Sequence, residues 1–370
     1  MINVLQVTTQ MDYGGVASVV RNLYAAMDHG KVHFDYVSHG GPEDYHASVR
    51  QDGSEVYYFE TVGKLGVKGY AAQIAEKLDV RKYDIIHLHI GDLNGLYARA
   101  FRRCGAKLIV SHAHETMPHS RLRGMMEPVF RHLAVKESDL CIACGRMAGE
   151  FIFGKGMFEL LPNGIDASRF ERISEDRIKV LSDRFGTAGR KVAVAVGNYL
   201  EVKNQSFLLE AAAELKKSID NLLVIFAGEG PLRPALEEKI AALGLEGTAV
   251  LAGTVSDIPA LLKLADAFAL PSLHEGIPVS AVEAQAAAVP AVISDTVDRG
   301  VDIGNGCTYF LPIDKGPQLW AEKLGEVLTG GIRPDALSVP KRLAESGYDI
   351  KTNAARLTDM YAALISKNSQ

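Results

Sequence analysis

The stretch Pro271–Ile293, PSLHEGIPVSAVEAQAAAVPAVI, decides how the whole chain is read. It follows the apolar run Asp266–Leu270 (DAFAL), which reads as a buried strand that turns at Pro271 on leaving its carboxyl end. Ser280 stands where a helix cap would, and Glu283 follows at the spacing of a capping box. Glu275 therefore falls in the loop and Glu283 in the first helical turn, with Gly276, Ile277, Pro278 and Val279 between them. A helix start carries unsatisfied N–H groups and the positive end of the helix dipole, so it attracts phosphate. In open α/β sheets, ligands bind outside the carboxyl ends of the strands. Two carboxylates flanking such a helix start suit hydroxyl-bearing groups on either side of a diphosphate. An isolated cap beside an exposed glutamate gives the same letters, so the surroundings must decide.

Those surroundings are a chain of 370 residues, 47% hydrophobic and 23% charged, enough for two α/β domains with separate cores. A net charge of −5 argues against a nucleic-acid partner. No apolar run reaches the roughly 18 residues a spanning helix needs. The opening MINVLQVTTQ lacks the basic and apolar regions of a signal peptide and reads as a first strand, so a cytoplasmic location is expected. Cys141 and Cys144 form a lone C-x-x-C in the strand-like run Asp139–Ala143. Residues three apart on a strand point to opposite faces, and no second pair completes a zinc site, so both are expected to be structural.

Short apolar runs alternate with helical patterns along the first half: Ile2–Val7, Phe34–Val37, Val56–Phe59, Asp84–Leu88, Lys107–Ser111 and Asp139–Ala143 read as strands. This alternation predicts a parallel, doubly wound sheet. Gly14 and Gly15 lie where the first strand gives way to a helix, a place where backbone can approach a ligand closely. His112 ends a strand, while His87, His89 and His114 crowd the same edge. His-x-His on a strand puts both rings on one face, as zinc requires, but no carboxylate or cysteine pattern accompanies it, so no metal is expected.

Phe158–Phe170, with the turn Pro162-Asn163-Gly164, reads as the linker, after which a second α/β pattern restarts at Lys191–Gly197. Lys203 stands near the start of a helix from Gln205, where a cation is unfavourable unless an anion joins it. Gly228-Glu229-Gly230-Pro231 has G-x-G but no third glycine, which argues against a dinucleotide fingerprint. Helices are expected near Gln318–Leu328, Pro334–Glu345 and Asn353–Ser366.

Taken together, these spacings resemble glycosyltransferase family 4, the retaining, nucleotide-sugar-dependent enzymes of the GT-B fold. The resemblance rests on Gly14-Gly15, DIIHLH at Asp84–His89, SHAHE at Ser111–Glu115 and LPNGID at Leu161–Asp166. It continues through VGNYLEVKN at Val196–Asn204, AGEGP at Ala227–Pro231, GTVSDIP at Gly253–Pro259 and HEGIPVSAVEA at His274–Ala284. SHAHE and FIFGKG at Phe151–Gly156 look most like bacterial exopolysaccharide and capsule enzymes. The fold so implied is α/β, two Rossmann-like doubly wound parallel-sheet domains facing a central cleft. Residues 1–165 would form the acceptor-side domain, with the helix 353–370 packing back on it, and 166–352 the nucleotide-sugar domain.

The resemblance also implies roles. Glu283 would hold ribose hydroxyls, while Glu275 with the N–H groups from Gly276 to Val279 would meet the donor sugar and diphosphate. Lys203 would neutralise the leaving group and Val255 would lie beside the base. Gly15 would approach the phosphates and His112 the transferred sugar. One position departs from the family: Asn198 stands where an arginine is usual, and asparagine cannot make its bidentate phosphate contact. The expected activity is metal-independent hexosyl transfer, without cofactor, from a nucleotide sugar, a UDP-sugar by expectation, to a glycan or lipid-linked acceptor in bacterial surface polysaccharide synthesis. A non-catalytic GT-B-like binding subunit and a nucleotide-sugar epimerase are the alternatives. Basic residues Arg99, Arg102, Arg103, Lys107, Arg121, Arg123, Arg131, His132 and Lys136 stand among Leu122, Met125, Met126, Val129 and Phe130. That mixture suits peripheral contact with an anionic membrane at the inner face of the cell, or equally a half-buried core helix with a solvated basic side.

Overall fold

The structure is a computed structural model that describes residues 1–9, 15–40, 53–117 and 121–368, with side chains of 121–123 left aside. Gly14 lies outside the described residues. The chain forms two compact units, one made of Met1–Gly164 with Ile350–Gln370 and the other of Ile165–Asp349.

The first unit opens with β1 (Ile2–Thr8), α1 (Gly15–Ala25), β2 (Val32–Ser38), β3 (Val56–Tyr58) and α2 (Val62–Lys77). It goes on through β4 (Ile85–His89), α3 (Asn94–Arg103), β5 (Leu108–Ala113), α4 (Arg121–Glu137), β6 (Leu140–Ala143), α5 (Arg146–Ile152) and β7 (Glu159–Leu160). Its sheet has the order β3-β2-β1-β4-β5-β6-β7, and every pairing is parallel. Strands buried on both faces read as near-continuous apolar runs, as INVLQV and KLIVS do with few polar interruptions. In-register pairing sets Thr8 beside His89, and Leu88 beside Ser111, so the histidines gather at one end of the sheet.

The second unit begins with α6 (Ser168–Glu171), α7 (Glu175–Phe185), β8 (Lys191–Val196), α8 (Gln205–Leu215), β9 (Leu222–Ala227), α9 (Arg233–Ala242) and β10 (Ala249–Gly253). It is completed by α10 (Ile258–Leu264), β11 (Ala267–Leu270), α11 (Val279–Ala286), β12 (Ala291–Ser294), β13 (Thr308–Leu311), α12 (Pro317–Gly330) and α13 (Val339–Glu345). The strand order β10-β9-β8-β11-β12-β13, again all parallel, is the doubly wound order with its switch point between β8 and β11. One apolar cluster lies around Phe268, Val282 and Leu261, and another around Leu208, Phe226 and Trp320. Trp320 is fully buried and donates Nε1–H to the Pro312 carbonyl at 3.1 Å. The last helix, α14 (Ile350–Asn368), returns to the first unit, where Tyr361 is fully buried.

Three local expectations are corrected. Ser280 does not cap α11: the helix starts at Val279 with Pro278 at the cap position, whose fixed φ of −69° leads the chain directly into the first turn. The helix expected from Pro334 begins only at Val339, because Asp335 accepts from Leu337 and Ser338 and holds a turn there. Cys144 falls just past the end of β6, so the opposite-face argument does not apply; both cysteines are free and buried in one apolar cluster with Ala148 and Ile152. Burial pushes the Cys141 thiol up to about 12.

Candidate functional site

In the second unit the loops leaving β8 and β11 are sewn together at the switch point. The Leu273 N–H donates to the Val202 carbonyl at 2.8 Å, and Asn204 Nδ2 donates to the Pro271 carbonyl at 3.1 Å. Asn204 holds a left-handed conformation (φ 52°), which asparagine tolerates better than most residues. These bonds bring Lys203 Nζ to 2.6 Å from Glu275 Oε2, across 72 residues of sequence. Ser272, itself fully buried, donates Oγ–H to the other carboxylate oxygen, Oε1. Both side chains of the pair are about one-fifth exposed or less (20% and 15%), so the contact is drier than a surface ion pair. The anion that Lys203 requires near a helix start is thus supplied by Glu275.

Between the carboxylates, Gly276, Ile277 and Pro278 are buried, and α11 begins immediately after them. The first N–H groups of that helix have no intrahelical acceptor. Glu283 is half-buried in α11, and burial pushes its carboxyl up to about 7, opposed by the charge of Arg169. Arg169 was not singled out from the sequence, although it stands three residues after the LPNGID segment. Val255 is buried in the apolar core, and Asn198 is exposed, its carbonyl accepting from Gln205 Nε2 at 2.9 Å.

The AGEGP loop packs against the same place, and its glycines have a steric reason. A Cβ on Gly228 would stand 2.1 Å from the Gly197 carbonyl oxygen, and one on Gly230 would stand 2.5 Å from that of Tyr199. Backbone meets backbone there, so only glycine fits.

The first unit has a different edge. One nitrogen each of His87, His89 and His112 lie within 4.8 Å of one another, all three residues being buried. His89 Nε2 lies 2.8 Å from Gln6 Oε1, an acceptor, so Nε2 carries the proton and Nδ1 presents a lone pair to His114 Nε2 at 2.9 Å. His87 Nδ1 stands 2.6 Å from Tyr361 Oη. Burial, and then the neighbouring imidazoles, hold His87, His89 and His112 well below the usual histidine range; burial alone brings His114 to about 4. Gly15 begins α1 and is exposed, with open space where a Cβ would stand.

Four of the nine basic residues expected to face a membrane are paired with carboxylates. Arg99 pairs with Glu137 at 2.9 Å and Lys107 with Asp84 at 3.5 Å, while Arg102 and Arg131 pair with Asp139 and Glu127. On α4, Met125, Met126 and Val129 are exposed. No helix among the described residues is long and apolar enough to cross a membrane.

Residues 13–169 match the family described as Glycosyltransferase Family 4, and residues 181–347 match glycosyl transferases group 1. The putative glycosyltransferase EpsF of Bacillus subtilis (strain 168) is 32% identical over 368 residues, covering 97% of this chain and 96% of that protein. The chain belongs to glycosyltransferase family 4. An Escherichia coli UDP-Gal:alpha-D-GlcNAc-diphosphoundecaprenol alpha-1,3-galactosyltransferase is 27% identical, with 63% of each chain covered. Among solved structures, Anabaena HepE in complex with UDP superposes with a TM-score of 0.80 at 18% identity, covering 98% of this chain and all of that one (100%). The fold is GT-B, and the protein is a glycosyltransferase.

Proposed function

We propose that this family 4 enzyme transfers a hexose, with retention at the anomeric carbon, from a UDP-sugar to a glycan or lipid-linked acceptor of a bacterial surface polysaccharide. The observation that carries the proposal is the Lys203–Glu275 pair set beside the start of α11, with Glu283 in the same helix. Breaking a glycosyl–phosphate bond leaves negative charge on the departing diphosphate. Lys203 and the unsatisfied N–H groups at Val279 and Ser280 are cationic or positively polarised groups able to receive that charge. A diphosphate entering there competes with Glu275 for Lys203 Nζ, and the freed carboxylate then accepts from sugar hydroxyls. Glu283 accepts from the ribose, and Val255 flanks the base through its backbone. No protein nucleophile is assigned, and the transfer step is assigned no metal.

Asn198 leaves the diphosphate with one cation fewer than the family pattern, and Arg169 beside Glu283 is a charge of the right sign nearby. The uridine nucleotide is favoured by the HepE structures, described as complexes with UDP and with UDP-glucose. The polysaccharide role is favoured by the E. coli relative, named for a diphosphoundecaprenol-linked acceptor. The test is nucleotide release from UDP-, GDP- and ADP-sugars by wild type and Glu283→Ala, with and without a chelator, followed by anomeric analysis of the product. Turnover of a UDP-sugar that survives chelation and is lost in the variant supports the proposal. Release from another nucleotide alone, or an inverted anomer, sinks it.

A further inference from the structure

The imidazole cluster of the first unit has more nitrogen than it uses. His87 Nε2 and both nitrogens of His112 are buried without a hydrogen-bond partner among the described residues, as is His114 Nδ1. Buried polar atoms in folded proteins nearly always find a partner, so several orphans in one place call for an unseen one. Water and cations both qualify, but the donor set is selective. It consists of imidazoles and has no carboxylate or thiol in the converging group, the ligand chemistry of zinc, copper or nickel rather than of magnesium or calcium.

We infer that His87, His89 and His112 ligate a divalent transition-metal ion of the zinc class, which fastens β4 to β5, with His114 closing the fourth position. One nitrogen from each of the three already lies within 4.8 Å of the others. Two nitrogens bound to zinc at about 2.0–2.1 Å stand roughly 3 Å apart, and His114 Nε2 is 2.9 Å from His89 Nδ1. Outer contacts of the kind that orient metal-binding histidines are also present: Gln6 Oε1 holds His89 Nε2, and Tyr361 Oη lies against His87 Nδ1. His87, His89 and His112 are 1–4% exposed and His114 is half-buried, so the three buried rings form the closed side of the site. The ion would belong to the first unit and the Lys203–Glu275 pair to the second, so this inference stands independently of the donor-site proposal.

The experiment uses the full chain, stripped with chelator and then titrated with Zn²⁺ and, separately, Co²⁺. The expected result is one equivalent retained per chain after gel filtration, a rise in melting temperature, and the intense visible bands of tetrahedral Co²⁺ bound by nitrogen. His87→Gln with His89→Gln should abolish retention, Tyr361→Phe should weaken it by about 10–100-fold, and His132→Gln, on the exposed face of α4, should leave it unchanged. Substoichiometric metal in wild type, an octahedral cobalt spectrum, or undiminished retention in the folded double variant overturns the inference. If the double variant does not fold, the wild-type stoichiometry and cobalt spectrum still decide.

Discussion

The two sheets have the same parallel order through six strands, yet their carboxyl edges carry opposite chemistry. The first unit gathers neutral imidazoles there; the second gathers a lysine and two glutamates. Burial acts alike in both, disfavouring whichever form is charged. It lowers the histidines and raises Glu283, so each tends to neutrality. Lys203 and Glu275 keep partners of opposite sign at 2.6 Å. The lesson is that burial alone drives a titratable group toward neutrality. On the proposed reading, Lys203 is held against Glu275 until a diphosphate arrives.

The largest expected effect breaks that comparison if it fails. Lys203→Ala should lower kcat by about 10²–10³-fold, the cost of losing one charge-stabilising group, measured by nucleotide release. A greater loss from His89→Gln, with Lys203→Ala silent, would move the chemistry to the first unit.

The next test concerns Glu283 and uses Trp320, the single tryptophan, which reports on the second unit alone. With a folded value near 7 against the ordinary 4.5, the stabilising contribution is full below the ordinary value and is lost as pH rises through about 7. The Glu283→Gln variant should therefore gain on wild type by roughly 1–3 kcal/mol between pH 5 and 8, discounted for half-burial, in fluorescence-detected melting. Donor affinity should run the other way, rising with pH through about 7 as the carboxylate forms. A stability difference that does not change with pH would mean Glu283 is not held back from ionising.

A smaller effect follows from the backbone contact under that edge. Gly228→Ala should destabilise the second unit by about 1–3 kcal/mol, as overpacking does, with the Trp320 transition shifting and the first unit unaffected. Smallest is Tyr361→Phe, which removes the hydroxyl against His87 and should cost about 1 kcal/mol. Circular dichroism should register it while the Trp320 signal stays in place; movement of both would mean the units melt together.

Much of this arrangement was legible because it is local. DAFAL announced β11, the turn at Pro271 announced a carboxyl-edge loop, and VGNYLEVKN placed Lys203 between a strand and a helix. The bond from Lys203 to Glu275 spans 72 residues, and the sequence has no periodicity that could report it. Arg169 near Glu283 and Tyr361 against His87 were hidden for the same reason. The two histidines of β4 share a strand and could be placed on one face from spacing, whereas His112 joins them through the pairing of β4 with β5. Ser280 misled because a serine three residues before a glutamate satisfies the capping pattern even when a proline has already started the helix.

The return of α14 to the first unit has a consequence for synthesis. On the ribosome, Ile165–Asp349 emerges as one continuous run and can close its own core before translation ends. The unit begun first must wait for its last piece, since Tyr361 and Leu357 fill its interior only from near the carboxyl terminus. The first unit is therefore completed after the second, and until α14 is made its unfinished face is open to chaperones and proteases.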